Sequence, residues 1–416
     1  MIELDRAELA RERRAYAEAE GLYTRALELL APADEALRLL ALRGRGRVIW
    51  QVGRGAEALA DLVLARGLAQ KTGDAEAEIE LLLDEATALD WCNDFPAAAT
   101  RAEEAEARAT ATGCGSRALR AALLVARGRT HFRAGRWSEA WDVLQQAVES
   151  ADPLGAAGYE PLVVALILLE VVLPYLGRTP EAEAAAERAI ALAKARGDGL
   201  NLASAINNRR NLLVARKDLE AALADQRTFR EIGRELGLSL AEYYAEFNLA
   251  ELHYQAGDTE AAAPFAERAA SFEERMPLIA PRPSARLLQA RLCTFRGLEA
   301  EARVLLGRIE ESVRLARAED RATGLLSPSE EVLLSMVDLS TRDATEAEWD
   351  TLVARSGRDS LEQEPIEVLE MRARFHRRRG RNEQAERRFA EALALASKIP
   401  NLLELRMKRE RTDLRA

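Results

Sequence analysis

Three histidines, three cysteines and one asparagine-rich turn are the places where this chain could do chemistry. His131, His253 and His376 are the only histidines, and Cys92, Cys114 and Cys293 the only cysteines. Metal sites and nucleophilic centres need such residues at short spacings or convergent in space. Here no HExxH, GxSxG or CxxC motif occurs. The stretch RGRGRVIWQVGRG (43–55) has the glycines of a phosphate loop. It lacks the GK[ST] ending, however, and no strand precedes it. Neither catalysis nor a metal or other cofactor is expected. An odd number of cysteines without a disulfide framework points to a reducing, cytoplasmic setting.

The third place is AINNRRNLLVARKD (205–218), with Asn207, Asn208 and Asn211 around Arg209 and Arg210. Asparagine is a mediocre helix former because its side chain competes for backbone hydrogen bonds. One short amide carries both a donor pair and an acceptor. It can therefore pair with the C=O and N–H of an extended peptide whatever that peptide's sequence. The chemistry on offer is binding, and its value depends on what positions the amides.

The chain has 416 residues, 48% hydrophobic and 5% aromatic, and is dominated by Ala, Leu, Glu and Arg. Those are strong helix formers, so an all-α fold is expected. The net charge of −10 argues against nucleic-acid binding by the whole molecule. The N-terminus has no apolar core of a signal peptide. The most apolar run, 161–177, is shorter than a membrane span and carries Glu170, so no membrane role is expected.

A turn signal recurs as VGRGAEA (52–58), AGRWSEA (134–140), LGRTPEA (176–182), AGDTEAA (256–262) and RGRNEQA (379–385). Aligning on its last alanine or the equivalent residue gives Ala19, Ala58, Ala98, Ala140, Ala182, Ala222, Ala262, Ala302, Ala347 and Ala385. The intervals run from 38 to 45 residues. A fixed period near forty is the mark of a helical solenoid. Small residues also recur seven places after the anchor, with Phe229 and Ile309 as exceptions. They recur twelve places before it, where Glu170 and Arg210 are the exceptions and are expected to pair across neighbouring repeats. Pro96 and Pro180 stand two before the anchor, where a second helix would begin.

This pattern resembles the tetratricopeptide repeat family, with the anchor alanine at place 20 and the turn glycine at place 15. VARGRTHFRAGRWSEAWDVLQQAVE (125–149) is the best single match. The period near 40 departs from the family's usual 34 and is similar to that of longer-helix arrays in bacterial signalling proteins. The large apolar residue of place 7 is replaced by Arg45, Glu85, Arg127 and Arg209. The resemblance implies a right-handed superhelical solenoid of about ten helix-turn-helix repeats, with first helices lining a concave groove. It puts the histidines at place 11, a packing position, three repeats apart.

The same resemblance names the groove residues. Repeat five supplies an apolar floor of Val164, Leu168, Val171 and Tyr175. Repeat six supplies Asn207, Asn208 and Asn211, repeat seven Tyr244, Phe247 and Asn248, and repeat four Arg129 and Arg133. The basic-then-Asn combination of a carboxylate clamp is absent. The implied function is a non-enzymatic scaffold or sensor that binds a protein or peptide segment. The alternative is a small-molecule or signal-peptide receptor region governing an attached output domain. The groove could instead be closed by the protein's own neighbouring segment or by a second copy in a homo-oligomer.

Three prolines in RMPLIAPRP (275–283) suggest a boundary near residue 280. Residues 1–280 would form the regular array and 281–416 a less regular one. Segment 371–416 holds 14 Lys and Arg against 6 Asp and Glu. A solvated face or contact with an acidic neighbour is the favoured role for that excess, ahead of nucleic acid. The terminal stretch 401–416 reads as an unpartnered helix, either a polar cap or part of a longer protein.

Overall fold

The computed structural model describes residues 2–113, 115–276, 282–318, 326–356 and 363–413. Among them are 21 α-helices and no strand. Ten helical hairpins follow in order. The first five are α1 (Ile2–Glu12) with α2 (Tyr16–Leu29), α3 (Glu35–Gln51) with α4 (Gly55–Thr72), α5 (Ala75–Trp91) with α6 (Phe95–Thr112), α7 (Arg117–Arg133) with α8 (Trp137–Ala151), and α9 (Tyr159–Val172) with α10 (Thr179–Arg196). Then come α11 (Gly199–Ala215) with α12 (Leu219–Glu235), α13 (Ser239–Gln255) with α14 (Thr259–Arg275), α15 (Ser284–Phe295) with α16 (Glu299–Ala318), α17 (Pro328–Thr341) with α18 (Glu346–Ser356), and α19 (Glu364–Arg378) with α20 (Asn382–Ala396). A final α21 spans Leu403–Asp413.

Local chemistry explains where second helices start. Asp94 and Asp258 cap α6 and α14, accepting from Ala97 N and Ala261 N at 3.2 and 3.0 Å. Pro96 and Pro180 stand in the first turns of α6 and α10, where a missing N–H costs nothing. The anchor alanines are buried in nine of the ten repeats. Twelve residues earlier, Gly128 lies so close to Leu144 that an added Cβ would come within 2.6 Å of it. Small residues at that place therefore let the two helices of a hairpin touch.

Three of the charged residues at place 7, Arg45, Glu85 and Arg127, have a consistent use. Arg45 binds both oxygens of Asp61 at 2.6 and 2.8 Å. Glu85 is held between Arg66 at 2.6 Å and Arg101 at 2.9 Å. Arg127 meets Glu106 at 2.9 Å. Each partner lies on a second helix of the same or the preceding repeat, so an ion pair replaces apolar packing there. Glu170 is buried, and Arg210 donates to Asn211 Oδ1 at 2.9 Å.

Repeat nine corrects the register. Ala347 and Ala354 are exposed, whereas Trp349 and Ser356, two residues on, are buried with Val337 twelve before Trp349. Trp349 takes the anchor place, since its ring packs against Phe375 with centroids 5.5 Å apart. An indole fills the space that alanine leaves elsewhere, and an alanine-only pattern passes over it.

The helices group into two compact units, Met1–Leu212 with Thr228–Ala241, and Leu213–Arg227 with Glu242–Ala416. The boundary expected near residue 280 falls on 277–281, outside the described residues. Buried residues of α13, α14, α15 and α16 share one core, and Glu273 of α14 accepts from Ala285 N at the start of α15 at 2.6 Å.

Candidate site in the first unit

The first unit closes on itself. Asp198 caps α11 by accepting from Asn201 N at 3.2 Å, and its carboxylate also takes Tyr159 Oη at 3.1 Å and Arg14 at 2.7 Å. Arg14 belongs to the turn between α1 and α2, so one buried carboxylate holds repeat one against repeats five and six. Leu4, Tyr16 and Leu22 share a core with Leu200, Leu236 and Leu238. No local pattern announced this contact, because its partners lie more than 180 residues apart.

Inside this closed turn the first helices are tied by a polar ladder. Arg43 and Arg47 of α3 both bind Asp84 of α5 at 2.8 Å, and Arg43 also meets Glu80. Burial alone would raise the Asp84 carboxyl; Arg47 and Arg43 hold it below the usual carboxylate range. Arg133 of α7 grips Asp90 of α5 through two bonds of 2.8 Å and lies over the Phe95 ring. Arg129 donates to Thr87 Oγ1 at 3.1 Å. The ladder was legible only as Arg and carboxylate pairs spaced i, i+4 on successive first helices. Arg133, expected as a ligand contact, is engaged by Asp90.

Beyond the ladder comes α9. Its other aliphatic residues are buried, while Val164, Leu168 and Val171, spaced i, i+4, i+7, stay half-buried on one line. Tyr175 lies past the helix end, exposed, with its ring stacked on Trp137 at 4.0 Å. It extends an aromatic edge with Phe132 more than it extends the floor. On α11, Asn207 and Asn208 are half-exposed and Asn211 exposed. The unit thus places Arg129, the α9 strip and three amides on consecutive first helices.

The remaining expected groove residues, Tyr244, Phe247 and Asn248, belong to the second unit. Asn248 is not open to a ligand there: it is 5% exposed, and its Nδ2 donates to Gln226 Oε1 at 3.0 Å. Tyr244 is exposed and Phe247 half-buried, both near the Tyr243 ring. Tyr243 itself donates to Glu273 at 2.8 Å. Farther along α13 the chain covers its own inner face. Arg291 bridges Glu251 at 3.0 Å and Glu367 at 2.6 Å, while Tyr254 donates to Glu367 at 2.5 Å. From α21, Arg406 reaches Tyr254 O at 2.7 Å and pairs with Glu370, and Lys217 pairs with Glu404. Leu402 joins Val214, Leu249 and Leu252 in one core. The C-terminal helix therefore has partners. The basic excess of the terminal segment also meets the chain's own carboxylates, as in Arg372 with Asp350 at 2.7 Å and Arg378 with Glu299 at 3.0 Å.

Hairpins of this period, with small residues packed at fixed places and first helices lining an inner face, decide the architecture. The fold is a tetratricopeptide-type helical solenoid. The solenoid is similar to a Rap protein complexed with competence and sporulation factor, at 15% identity and a TM-score of 0.61, over 90% of this chain and 99% of that one. It is also similar to the apo form of the quorum sensor NprR from B. thuringiensis, at 15% identity and 0.52, over 84% and 98% of the two chains. NprR in complex with its cognate peptide NprX aligns at 14% identity and 0.50, over the same shares. No protein-family model matches the chain, and no curated protein matches it in sequence.

The three histidines lie on α7, α13 and α19. His131 accepts from Arg136 at 2.9 Å, His253 stacks on Phe265, and His376 is buried beside Glu346 at 3.1 Å. Burial holds all three imidazoles below their usual pKa. Among the described residues no three His, Cys, Asp or Glu side chains are grouped to hold a metal.

Proposed function

We propose that this chain is a non-enzymatic binding module that takes an extended peptide segment on the inner face of its first unit. The carrying observation is the half-buried line Val164, Leu168 and Val171 on a helix whose other aliphatic residues are buried, one repeat before Asn207, Asn208 and Asn211. Apolar contacts would provide most of the affinity, and the amides would hold a peptide backbone in register.

A signal-peptide receptor governing an attached output domain is the more specific form of this reading. Its support is the fold shared with a Rap protein bound to competence and sporulation factor and with NprR bound to NprX. The test is selection of ligands from a random hexapeptide mixture on the immobilised chain, repeated with Asn207→Ala/Asn208→Ala. Retention should weaken by about 1–3 kcal/mol, the cost of leaving buried polar groups unpaired. Unchanged retention by a well-folded double variant would move the site away from α11.

A further inference from the structure

The second helix α4 has two apolar faces. On one, Leu62, Ala65 and Ala69 pack with Leu39, Leu42 and Leu81. On the other, Ala60, Val63, Leu64 and Gly67 are all exposed, Val63 at 45% and Leu64 at 60%. Their spacing, i, i+3, i+4, i+7, puts them on one line. The two charged residues between Glu57 and Lys71 are turned to neighbouring helices, Asp61 to Arg45 and Arg66 to Glu85. At the same four places the flanking second helices are charged, with Arg25 and Glu28 on α2 and Glu103 and Glu104 on α6, and so are α8, α10, α12, α14 and α16. A helix that is apolar all round is normally covered all round. Gly67 adds an independent sign. Glycine is a poor helix former, and among the described residues nothing lies within 4 Å of where its Cβ would stand. A mid-helix glycine beside empty space suits the close approach of another backbone.

We propose that this outer face of α4 joins two copies of the chain, crossing antiparallel about a two-fold axis between Val63 and Leu64. A two-fold contact demands a self-complementary face, and this one is. Reversed about that point, Val63 falls opposite Leu64 of the partner subunit and Ala60 opposite Gly67 of the partner subunit. Large residues fill the centre and small ones flank it. Alanine against glycine lets the axes approach to about 8 Å, the near end of the range for packed helices. Glu57 and Lys71 then stand at the two ends, each beside the opposite charge of the other copy. Both have surface to spare: Glu57 pairs with Arg54 yet keeps 60% of its side chain open, and Lys71 pairs with Glu35 and keeps 67%. One helix pair covers less than a standard interface, so the dimer is weak, with a dissociation constant on the order of 10–100 µM. The contact lies on a second helix and stands independently of the peptide-binding reading.

The experiment is sedimentation velocity of the full chain from about 1 to about 300 µM, a range that brackets this constant. The parent should pass from monomer to dimer as concentration rises. Leu64→Glu, at the centre of the contact, should weaken association at least roughly 10-fold. Its circular dichroism should match the parent's, because the residue is exposed. Glu57→Lys and Lys71→Glu should each weaken association roughly 3- to 10-fold by setting like charges together, and Glu57→Lys/Lys71→Glu should recover the parent constant. Within one chain the two positions are about 21 Å apart along the helix, too far to couple, so recovery reads a contact between copies. A parent chain that stays monomeric at the highest concentration would overturn the proposal. A dimer that survives Leu64→Glu would place the interface on another face and overturn it equally. Failure of the double variant to recover would overturn the antiparallel arrangement.

Discussion

Removing the Asp198 carboxylate should open the first unit at one defined seam. In Asp198→Ala the cap of α11 disappears, a loss of about 1 kcal/mol. The Tyr159 hydroxyl loses its acceptor, and Arg14, whose side chain is 22% exposed, loses its carboxylate. Each of those bonds is worth about 1–1.5 kcal/mol, because Arg14 can still find water. The sum is about 3 kcal/mol, at the lower end for breaking a buried ionic contact. It falls on the docking of repeat one, where α1 and α2 meet repeats five and six at this carboxylate and at the apolar cluster around Leu200 and Leu238. Amide hydrogen exchange measures that docking directly. In α1 and α2 exchange should accelerate roughly 100-fold, the equivalent of about 3 kcal/mol. Amides of α19 and α20, in the other unit, should be unaffected. Acceleration confined to the first turn of α11 would show that Asp198 is only a helix cap and would refute closure through it.

Other perturbations test the rest of the structure. Glu367→Gln leaves the buried Arg291 with only Glu251 and should destabilise the second unit by about 3–5 kcal/mol in a thermal melt, whereas the exposed Glu181→Gln should leave the melt unchanged. Burial opposes ionisation of Glu367, but Arg291 holds its pKa below the ordinary 4.5, so its contribution is present above pH 4.5 and lost on further acidification; the Gln variant should lack that acid limb. Glu273 runs the other way: burial pushes it up from 4.5 to about 7, so its contribution is full below pH 4.5 and fades as pH rises through 7. Stability measured in urea between those two pH values should decline in the parent and stay flat in Glu273→Gln. Gly128→Val should cost about 1–3 kcal/mol by colliding with Leu144, while Gly21→Ala, with open space around its Cβ, should gain up to about 1 kcal/mol. Equal melting shifts for those two glycine variants would contradict the close approach of α7 and α8.

The repeat, its period and the small-residue places were readable because each comes from contacts inside a hairpin or between neighbours. Such contacts repeat with the sequence, so Ala140, Gly128 and Ala147 announce a packing that Ala58, Gly46 and Ala65 announce again. The pattern failed at repeat nine, where Trp349 does by volume what alanine does by smallness. The residues proposed for the inner face of α9 and α11 were named from the same register. Which of them remain open did not: Val164 and Asn208 are half-exposed, whereas Asn248, at the same place as Asn208, is buried against Gln226.

Sequence alone determined the helices, their pairing and the face each turns inward, because propensity, capping and periodicity act over a few residues. Tertiary structure decided what occupies that face. Arg14 meets Asp198, and Arg406 meets Tyr254, across 184 and 152 residues. Nothing in a local window distinguishes those arginines from the many that only line a surface. Ion pairs of long side chains are set by which helices the stacking brings within a few ångströms, and small rotations per repeat accumulate over the array to choose them. The same accumulation covers part of the second unit with the chain's own C-terminal helix and leaves Leu168 and Asn208 of the first unit half-buried.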